Sequence, residues 1–367
     1  MTQDFIVVGA GVMGLATAVQ LLKEGATVTI LERAQAGQES SWAGGGILSV
    51  LCPWDYPDSV TQLTEYSAAM FSAWVAELYA STGIDAEYVV SGMLVLPPYH
   101  IEAAQKWERS HRVNAEADAL TQSVPLSEQI DPLHLTMEHS LFLPHIAQVR
   151  NPRLLRALYH QVGQLGGHII EHCEVQEIIA QHHRVHSLRT SCGKYCAADF
   201  VITAGAWSKQ VLGKHALSLD IKPIRGQMLL YKFEEPPLRS ILLQGDVYLI
   251  PRRDGHLLVG STLEDVGFNK QTTLAAHEHL SGRAQKLLPE LKGRPLIKHW
   301  AGLRPGSPHN IPAIGRHPLL NNLFINSGQF RYGVTMAPGS AKILLNEIMG
   351  RAQPFDISPY QKGWGVD

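Results

Sequence analysis

One arginine is held in an unusually rigid stretch of the sequence. Arg304 lies in HWAGLRPGSP, residues 299–308, between a Trp-Ala-Gly run and a Pro-Gly turn. The planar guanidinium of arginine pairs with a carboxylate through two parallel hydrogen bonds, which makes its orientation important. We therefore expect Arg304 to end a strand and to be aimed by the turn at Pro305-Gly306. The alternative is a structural salt bridge between two domains.

A glycine-rich turn near the beginning of the chain is typical of dinucleotide binding. The stretch DFIVVGAGVMGLATAVQLLKEGATVTILER, residues 4–33, predicts a strand, a glycine turn, a helix and a second strand. Gly9 permits the tight turn, Gly11 lets the backbone approach a pyrophosphate, and Gly14 lets the helix pack on the strand. The helix N-terminus favours phosphate, and Glu32 would accept hydrogen bonds from the adenosine ribose.

A second glycine-rich segment bears on which dinucleotide is bound. SSWAGGGIL, residues 40–48, follows the second predicted strand and contains three consecutive glycines. This composition suggests backbone pressed against a flat ring system, which favours FAD over NAD. The alternative is a flexible loop. An acid rather than an arginine at Glu32 also disfavours a ribose 2′-phosphate.

Nine separated motifs follow one another along almost the whole chain. They are VVGAGVMG (7–14), ER (32–33), SSWAGGGIL (40–48), HCEVQEI (172–178), DFVITAGAWS (199–208), PIRGQML (223–229), YLIPRRDGHLLVGST (248–262), WAGLRPGSP (300–308) and GQFRYGVTMAP (328–338). In this order, the sequence resembles the D-amino-acid-oxidase-like flavoprotein oxidoreductases. The resemblance is closest to their glycine oxidase branch, which is linked to thiamine biosynthesis.

The resemblance implies non-covalent FAD as the cofactor. The implied FAD-binding residues are Gly9, Gly11, Val12, Met13, Gly14, Glu32, Arg33, Ser40, Ser41, Gly45, Gly46, Ile47, Val175, Ala204, Gly205, Gln329, Phe330, Arg331, Tyr332, Gly333, Val334 and Thr335. Val175 would hold the adenine through its backbone. The loop from Gln329 to Thr335 would place N–H groups near the flavin N1 and C2 carbonyl, where reduced flavin carries negative charge. The related sarcosine oxidases tether flavin through a cysteine near 304–315, a region that lacks cysteine here.

The resemblance also implies a set of substrate-binding residues. Arg304 matches the carboxylate-binding arginine of the family, and Tyr248 matches a tyrosine whose hydroxyl helps to hold the same carboxylate. The alternative for Tyr248 is a tyrosine packed in the core. Arg331 matches a second active-site arginine, which either contacts the substrate or shapes the flavin loop. Arg252 and Arg253 are predicted to be solvated turn residues.

The implied activity is that of an FAD-dependent amine oxidase. Glycine, with sarcosine or small D-amino acids as further candidates, would lose a hydride to flavin N5, and oxygen would be reduced to hydrogen peroxide. Glyoxylate and ammonia, or an imine for thiamine thiazole synthesis, would be the products. Solvent would deprotonate the amine, so no general base is nominated. Leu263 stands where the family carries a methionine close to the substrate, which leaves the substrate range open.

Three other functions remain open at this stage. A D-amino-acid or imino-acid dehydrogenase of the same fold would pass its electrons to a quinone instead of oxygen. A non-catalytic flavin-binding module would have no use for an aimed carboxylate clamp. A plain NAD dehydrogenase is the least favoured alternative.

The expected fold class is α/β, with a Rossmann-like FAD-binding domain interleaved with an antiparallel-sheet α+β substrate domain. The FAD-binding domain is predicted to comprise residues 1–85, 146–220 and 305–367, and the substrate domain residues 86–145 and 221–304. The predicted elements are a long helix over 59–81, two short strands within 86–96, a polar helix near 100–113, a helix over 151–165, strands through 168–203, a helix from Trp207, antiparallel strands through 223–263, a helix over 272–288, and a strand at 323–328 before a C-terminal helix.

Composition excludes several classes of partner. The 367 residues carry a net charge of −2, which gives no electrostatic footprint for nucleic acid. No apolar run is long enough to span a bilayer, and the N-terminus lacks a signal peptide pattern, so a cytoplasmic location is expected. The cysteines are expected to be free, with Cys192 and Cys196 flanking a Gly-Lys-Tyr hairpin turn. No metal is expected. A homo-oligomer is expected, because related enzymes are often tetramers.

Overall fold

A computed structural model describes residues 3–112 and 140–364 of the chain. The remainder of the predicted substrate-domain segment 86–145, residues 113–139, lies outside the described residues. None of the helices in the described part combines the length and apolar character that a bilayer span requires. The same residues contain no group of three or more His, Cys, Asp or Glu side chains arranged for a metal ion.

The strands in the described residues are β1 (Gln3–Val8), β2 (Val28–Leu31), β3 (Ile47–Leu48), β4 (Val89–Val90), β5 (Met93–Leu96), β6 (Leu141–Leu143), β7 (Ala147–Gln148), β8 (His168–Ile170), β9 (Val175–Gln181), β10 (Arg184–Thr190), β11 (Gly193–Tyr195), β12 (Ala197–Ile202), β13 (Lys222–Lys232), β14 (Ile241–Gln244), β15 (Val247–Pro251), β16 (His256–Gly260), β17 (Lys298–Gly306), β18 (Ala313–Arg316) and β19 (Leu323–Ser327). The α-helices are α1 (Val12–Lys23), α2 (Ser40–Ala43), α3 (Asp58–Thr82), α4 (Ile101–Arg112), α5 (Asn151–Gln164), α6 (Ser208–Leu212), α7 (Leu274–Leu287) and α8 (Gly333–Met349).

A six-stranded sheet carries the glycine turn. Its order is β18-β19-β12-β1-β2-β8, with all pairs parallel except the antiparallel pair of β18 and β19. Side chains of β1 alternate between two cores: Phe5 and Val7 pack on the side of α1 and α8, whereas Ile6 and Val8 face the antiparallel sheet β11-β10-β9. Both faces of β1 are therefore apolar, as is typical of a parallel sheet covered on both sides.

A seven-stranded, mostly antiparallel sheet forms the second large layer. Its order is β17-β13-β16-β15-β14-β5-β6, and only β5 and β14 pair in parallel. Leu229, Leu249 and Val259 pack on its outer face in the core that also holds Leu280 of α7. Residues of the opposite face join the core of the first sheet. The two sheets are therefore connected through one continuous core, with the expected fold class.

The structure confirms most predicted elements, corrects two local predictions and bears on one alternative, the flexible loop at residues 40–48. Gly193–Tyr195 is strand β11 rather than a hairpin turn, and the turn consists of the two preceding residues, Ser191 and Cys192. The segment 40–48 is not all loop, because Ser40–Ala43 forms a short helix. Arg304 does not end its strand: β17 continues through Pro305 to Gly306, and residues 298–306 pair with β13 along their whole length.

Candidate functional site

A cavity of about 430 Å³ opens beside the carboxyl ends of β1 and β12 and extends to the inner face of the seven-stranded sheet. In α/β folds this edge of the parallel sheet is where ligands bind. All the residues predicted to bind FAD or substrate line this cavity except Gly14. We call the part around Gly9, Glu32 and Val175 the nucleotide end, and the part around Arg304 and Tyr248 the substrate end.

The glycine turn is built without room for side chains. Gly9 has a φ of +105°, and a Cβ there would lie 2.7 Å from the Thr203 carbonyl oxygen. A Cβ on Gly14 would lie 1.8 Å from the Gly9 carbonyl oxygen, so Gly14 lies behind the turn, where it permits close packing of α1. The α1 N-terminus is open to the cavity at Gly11, and the Ser41 hydroxyl accepts a hydrogen bond from the Val12 N–H (3.0 Å).

Glu32 is buried at the end of β2. Its carboxylate accepts hydrogen bonds from the N–H groups of Ala10 (2.8 Å) and Ala34 (3.0 Å). These bonds fix the carboxylate and leave it further lone pairs, because an ionised carboxylate offers about four acceptor positions. The next residue, Arg33, pairs with Glu39 (2.8 Å) and stacks on the Trp207 ring at 3.7 Å.

A second layer of contacts closes the nucleotide end. Val175, Ala204 and Gly205 form one wall of the cavity. Phe268, which belongs to the segment after β16, packs against the Trp207 ring with 5.4 Å between centroids. The arrangement joins the segment after β16 to the six-stranded sheet near the expected adenosine position.

Two polar side chains hold the segment around Gly44–Gly46 through hydrogen bonds to its backbone. Asn151 donates hydrogen bonds to the carbonyl oxygens of Ser41 (2.8 Å) and Gly44 (3.0 Å). Arg252 donates to the Gly45 carbonyl oxygen (2.7 Å) and to the Gln148 side chain (2.7 Å). A Cβ on Gly45 would lie 2.6 Å from the Ile250 side chain.

The prediction that Arg252 is a solvated turn residue is therefore wrong. Its side chain is buried, and burial lowers the pKa of its guanidinium to about 10, with Arg150 acting in the same direction. Arg253, the next residue, is exposed as predicted. The sequence carried only a weak signal, because both arginines precede an Asp-Gly turn and only the strand register decides which one points inward.

The loop before α8 approaches the cavity from the far end of the chain. Phe330 adopts a positive φ of 44°, which is an uncommon conformation for a bulky residue, and its N–H donates to the Pro305 carbonyl oxygen (3.1 Å). The buried Gln329 donates to the Asn326 side chain (2.6 Å). No side chain of the described residues caps the start of α8 at Gly333, so its first N–H groups face the cavity.

Arg304 points into the cavity from β17. Its guanidinium donates to the Thr262 carbonyl oxygen (3.0 Å) and to the Ser261 hydroxyl (2.7 Å), and no acidic side chain of the described residues pairs with it. Burial lowers its pKa, and the Arg331 cation acts in the same direction against the opposing effect of Tyr248. The contacts do not include the interdomain salt bridge that was the alternative.

Glycines of the seven-stranded sheet make room for the substrate-end side chains. Gly226 faces Arg304 from the neighbouring strand β13, and a Cβ there would lie 2.2 Å from both terminal guanidinium nitrogens. Gly260 pairs with both Met228 and Tyr248, and a Cβ on it would lie 2.7 Å from the Tyr248 ring. The Tyr248 ring therefore lies across β16, with its hydroxyl 4.0 Å from the Met228 sulfur.

Arg331 lies at the boundary between cofactor loop and substrate end. Within residues 3–112 and 140–364, its guanidinium has no hydrogen-bond or ion-pair partner, although its side chain is largely enclosed. Burial lowers the pKa of Arg331, but the Tyr332, Tyr56 and Tyr248 hydroxyls outweigh this effect and the pKa is raised. Tyr332 itself is buried and hydrogen-bonded to Tyr56, and desolvation raises its pKa well above the usual value.

Known proteins match this chain over nearly its whole length. A family profile described as FAD dependent oxidoreductase matches residues 4–346. The chain belongs to this family. Among curated relatives, the glycine oxidase of Pseudomonas putida is 39% identical over 364 residues, which cover 98% of each chain. The bifunctional protein ThiO/ThiG of Trichormus variabilis is 29% identical over 372 residues, which cover 99% of this chain and 56% of that protein.

Solved structures give the same result. The crystal structure of glycine oxidase from Geobacillus kaustophilus superimposes with a TM-score of 0.89 at 27% identity, and the match covers 98% of this chain and 97% of that one. Structures of other members of this fold, such as an iminodiacetate oxidase from Chelativorans sp. BNC1 with a TM-score of 0.85, share the architecture at 23% identity.

The residues present fit FAD, the cofactor of the family. The cavity combines the start of helix α1 at Gly11, a fixed carboxylate at Glu32 and a glycine segment whose side-chain space is already filled at Gly46, where a Cβ would lie 2.2 Å from the Val149 carbonyl oxygen. These features suit a pyrophosphate, a ribose and a flat ring respectively.

Proposed function

We propose that this protein is a glycine oxidase: with FAD, it converts glycine, oxygen and water to glyoxylate, ammonia and hydrogen peroxide. Sarcosine and small D-amino acids are further candidate substrates. The observation that carries the proposal is the Arg304 guanidinium, which faces the FAD-type cavity and which no acidic side chain within residues 3–112 and 140–364 pairs with. The glycine oxidase relatives, one of them 39% identical over nearly the full chain, support the same substrate.

The proposed role of the nucleotide end is to hold FAD non-covalently. Glu32 would accept hydrogen bonds from the adenosine ribose, and the N–H groups at the starts of α1 and α8 would bind the pyrophosphate and the flavin pyrimidine edge. When bound, FAD supplies the ring that accepts the hydride from the substrate carbon and passes the electrons on to oxygen. The segment 304–315 contains no cysteine for a covalent link.

The proposed role of the substrate end is to orient an amino acid by its carboxylate. Arg304 would bind both carboxylate oxygens, and the Tyr248 hydroxyl, which lies beside the Arg304 guanidinium and 4.0 Å from the Met228 sulfur, would donate to one of them. Arg331 would add a second positive charge beside this carboxylate. With the carboxylate fixed, the Cα–H bond of the substrate has one allowed direction, which supplies most of the protein's share of the rate.

The substrate ammonium must lose a proton before a hydride can leave its carbon. Among the described residues that line the cavity, the carboxylates are Glu32, Glu39 and Glu174, and all three belong to the nucleotide end. We therefore assign this proton to solvent. The product imine is then hydrolysed, or is available for synthesis of the thiamine thiazole.

The test is peroxide release by the purified, FAD-loaded protein. We expect glycine to give peroxide and glyoxylate in equal amounts. Sarcosine and D-alanine are assayed in parallel as the further candidate substrates. The flavin should also be bleached by glycine without air and restored by air faster than by a soluble quinone. Bleaching followed by reoxidation only with the quinone would replace the oxidase with a dehydrogenase. No bleaching by any of the three amino acids would contradict the proposal.

Three further points belong to this proposal. We assign residues 1–85, 146–220 and 305–367 to an FAD-binding domain and 86–145 and 221–304 to a substrate domain, because this division keeps the six-stranded sheet in the first domain and the seven-stranded sheet, except the last two residues of β17, in the second. We also propose a cytoplasmic, homo-oligomeric enzyme, for which a tetramer is one candidate assembly. Light scattering on the FAD-loaded protein would give the mass of the assembly directly.

A further inference from the structure

Two cysteines meet beside the nucleotide end, and the proposed reaction uses neither of them. Cys173 lies two residues before the start of β9, is buried, and lines the cavity. Cys192 lies in the two-residue turn between β10 and β11 and is exposed. They are 19 positions apart in the sequence, and the sheet β11-β10-β9 brings their segments together.

Several hydrogen bonds fix the two segments against each other. The Ser191 N–H donates to the Glu174 carbonyl oxygen (2.9 Å), and the Glu174 N–H donates to the Ser191 hydroxyl (2.9 Å). The Thr190 hydroxyl oxygen is 3.3 Å from the Cys173 sulfur and accepts from the Cys192 N–H at 3.0 Å. Because Thr190 of β10 pairs with Val175 of β9, the antiparallel register continued by two residues places Cys192 opposite Cys173. The Cys192 sulfur lies 3.5 Å from the carbonyl oxygen of His172, the neighbour of Cys173, and desolvation raises the pKa of Cys173.

This geometry suits a disulfide. Segments joined by antiparallel backbone hydrogen bonds lie at about the Cα separation that a disulfide spans, roughly 4.4 to 6.8 Å. Both thiols are free in the structure, and the Thr190 hydroxyl contacts both residues, at the Cys173 sulfur and at the Cys192 N–H. We propose that Cys173 and Cys192 are a peroxide-oxidisable pair that closes to a disulfide.

The chemistry needs only hydrogen peroxide as oxidant. The exposed Cys192 thiolate attacks one peroxide oxygen, the O–O bond breaks, and the departing hydroxide takes a proton to give water and a sulfenic acid. The Cys173 sulfur then attacks the Cys192 sulfur, the S–O bond breaks, and the Cys173 proton leaves with the second water. Two thiols are oxidised by two electrons in total, and one peroxide is reduced to two waters.

The other cysteines of the chain lack this arrangement. Burial raises the pKa of Cys52 to about 12, which leaves it little reactive thiolate. Cys196 is exposed, but the β10–β11 register, continued by one residue beyond the pair of Leu188 and Tyr195, places it opposite Ser187 rather than opposite a cysteine. Oxidised Cys196 therefore has no partner to convert its sulfenic acid into a disulfide, which makes it a matched internal control for Cys192.

The pair goes beyond the proposed function, although that function would supply the oxidant at each turnover. The experiment uses added hydrogen peroxide and no amino acid, so it is independent of oxidase activity. The full-length, FAD-loaded protein is treated with graded peroxide, the remaining thiols are alkylated, and the cysteine peptides are identified by mass spectrometry. We expect a linked peptide that joins Cys173 to Cys192 and that disappears after dithiothreitol.

Two variants sharpen the result. In the Cys173→Ser protein, Cys192 should proceed to the irreversible sulfinic acid at a peroxide dose that leaves wild-type Cys192 in the reversible disulfide. The Cys196→Ser protein should form the linked peptide as wild type does. The Cys192→Ser protein, whose change is at an exposed site, should leave Cys173 reduced at the same dose. Absence of the linked peptide in wild type, with equal sulfinic acid formation at Cys192 with and without Cys173, would overturn the proposal.

Discussion

The two ends of the cavity are built in different ways. At the nucleotide end, the important groups are backbone N–H groups and one carboxylate, and Gly9, Gly11 and Glu32 all lie within 24 consecutive residues. At the substrate end, the important groups are side chains from separate strands: Tyr248 on β15 and Arg304 on β17, with Gly226 of β13 making room between them. One end depends on local chain geometry, and the other on the register of a sheet.

This difference predicts how each end responds to substitution. Changes at the nucleotide end should act on cofactor affinity, because they alter a local binding loop. Changes at the substrate end should act on amino-acid binding and turnover while the flavin stays bound. Substitutions at each end therefore test this separation.

Arg304→Ala should lower kcat/KM for glycine by about 1,000-fold, because it removes two charge-assisted hydrogen bonds to the substrate carboxylate. Flavin content per protein should stay at the wild-type level. Arg304→Lys is the control for charge without the planar fork, and it should recover only a small part of the loss. Steady-state kinetics with peroxide detection measure the effect. An Arg304→Ala protein with near-normal kcat/KM would remove this residue from the substrate site.

Gly226→Ala should lower kcat/KM by about 100-fold, because a Cβ 2.2 Å from the guanidinium nitrogens must displace the Arg304 fork by a substantial fraction of an ångström or more. Gly282→Ala is the matched control: it lies in α7, where a Cβ would meet no heavy atom within 4 Å. Kinetics and flavin absorbance of both proteins give the comparison. Equal activity of the two variants would show that the fork tolerates the added methyl group.

Glu32→Gln should weaken FAD binding by about 10- to 30-fold, with a smaller change in the KM for glycine. The side chain of glutamine has one oxygen and one NH₂ group, and the NH₂ group cannot accept a hydrogen bond. One of the two backbone donors, the N–H of Ala10 or that of Ala34, therefore loses its acceptor. Titration of the flavin-free protein with FAD, followed by flavin fluorescence, measures the affinity. Glu24→Gln, an exposed change elsewhere, is the control. A variant whose FAD affinity is normal but whose glycine KM rises would reverse the assignment of the two ends.

Ser261→Ala should raise the KM for glycine about 5- to 10-fold, because the Arg304 guanidinium loses an acceptor at 2.7 Å and becomes less firmly oriented. Ser281→Ala, in helix α7, is the matched control, since in the part of the chain that the structure describes the Ser281 hydroxyl bonds to the local Glu278 carbonyl oxygen and not to a residue of the cavity. The same peroxide assay measures both. An unchanged KM in the Ser261→Ala protein would mean that Thr262 alone orients the fork.

The sequence allowed the nucleotide end to be predicted more completely than the substrate end. The strand, glycine turn, helix and acidic residue are all local patterns in the sequence. Three of the residues predicted from them, Gly9, Gly11 and Glu32, line the same cavity in the structure. The resemblance supplied Arg304 and Tyr248, but residue spacing alone gave no sign that Gly260 separates Tyr248 from Met228. That information lies in the pairing of strands far apart in the chain.

The errors have the same physical origin. Arg252 and Arg253 are chemically alike, and only the pleat of β15 and its approach to Gly45 bury the first and expose the second. Arg304 was expected at a strand end because proline and glycine usually stop a strand. The edge strand β17 tolerates Pro305, since its ladder of partners lies on one side only.

The position of Gly45 predicts a difference between the flavin-free and the flavin-bound forms of the enzyme. Its carbonyl oxygen is fixed by Arg252, and its Cα faces the rings and methyl groups of the neighbouring sheet, since a Cβ there would lie 3.2 Å from the Tyr248 ring. Anything that orders this segment from the cavity side also restricts the tyrosine beneath it. Carboxylate inhibitors should therefore bind more weakly to the flavin-free protein, and by thermodynamic reciprocity the same inhibitors should slow the loss of flavin.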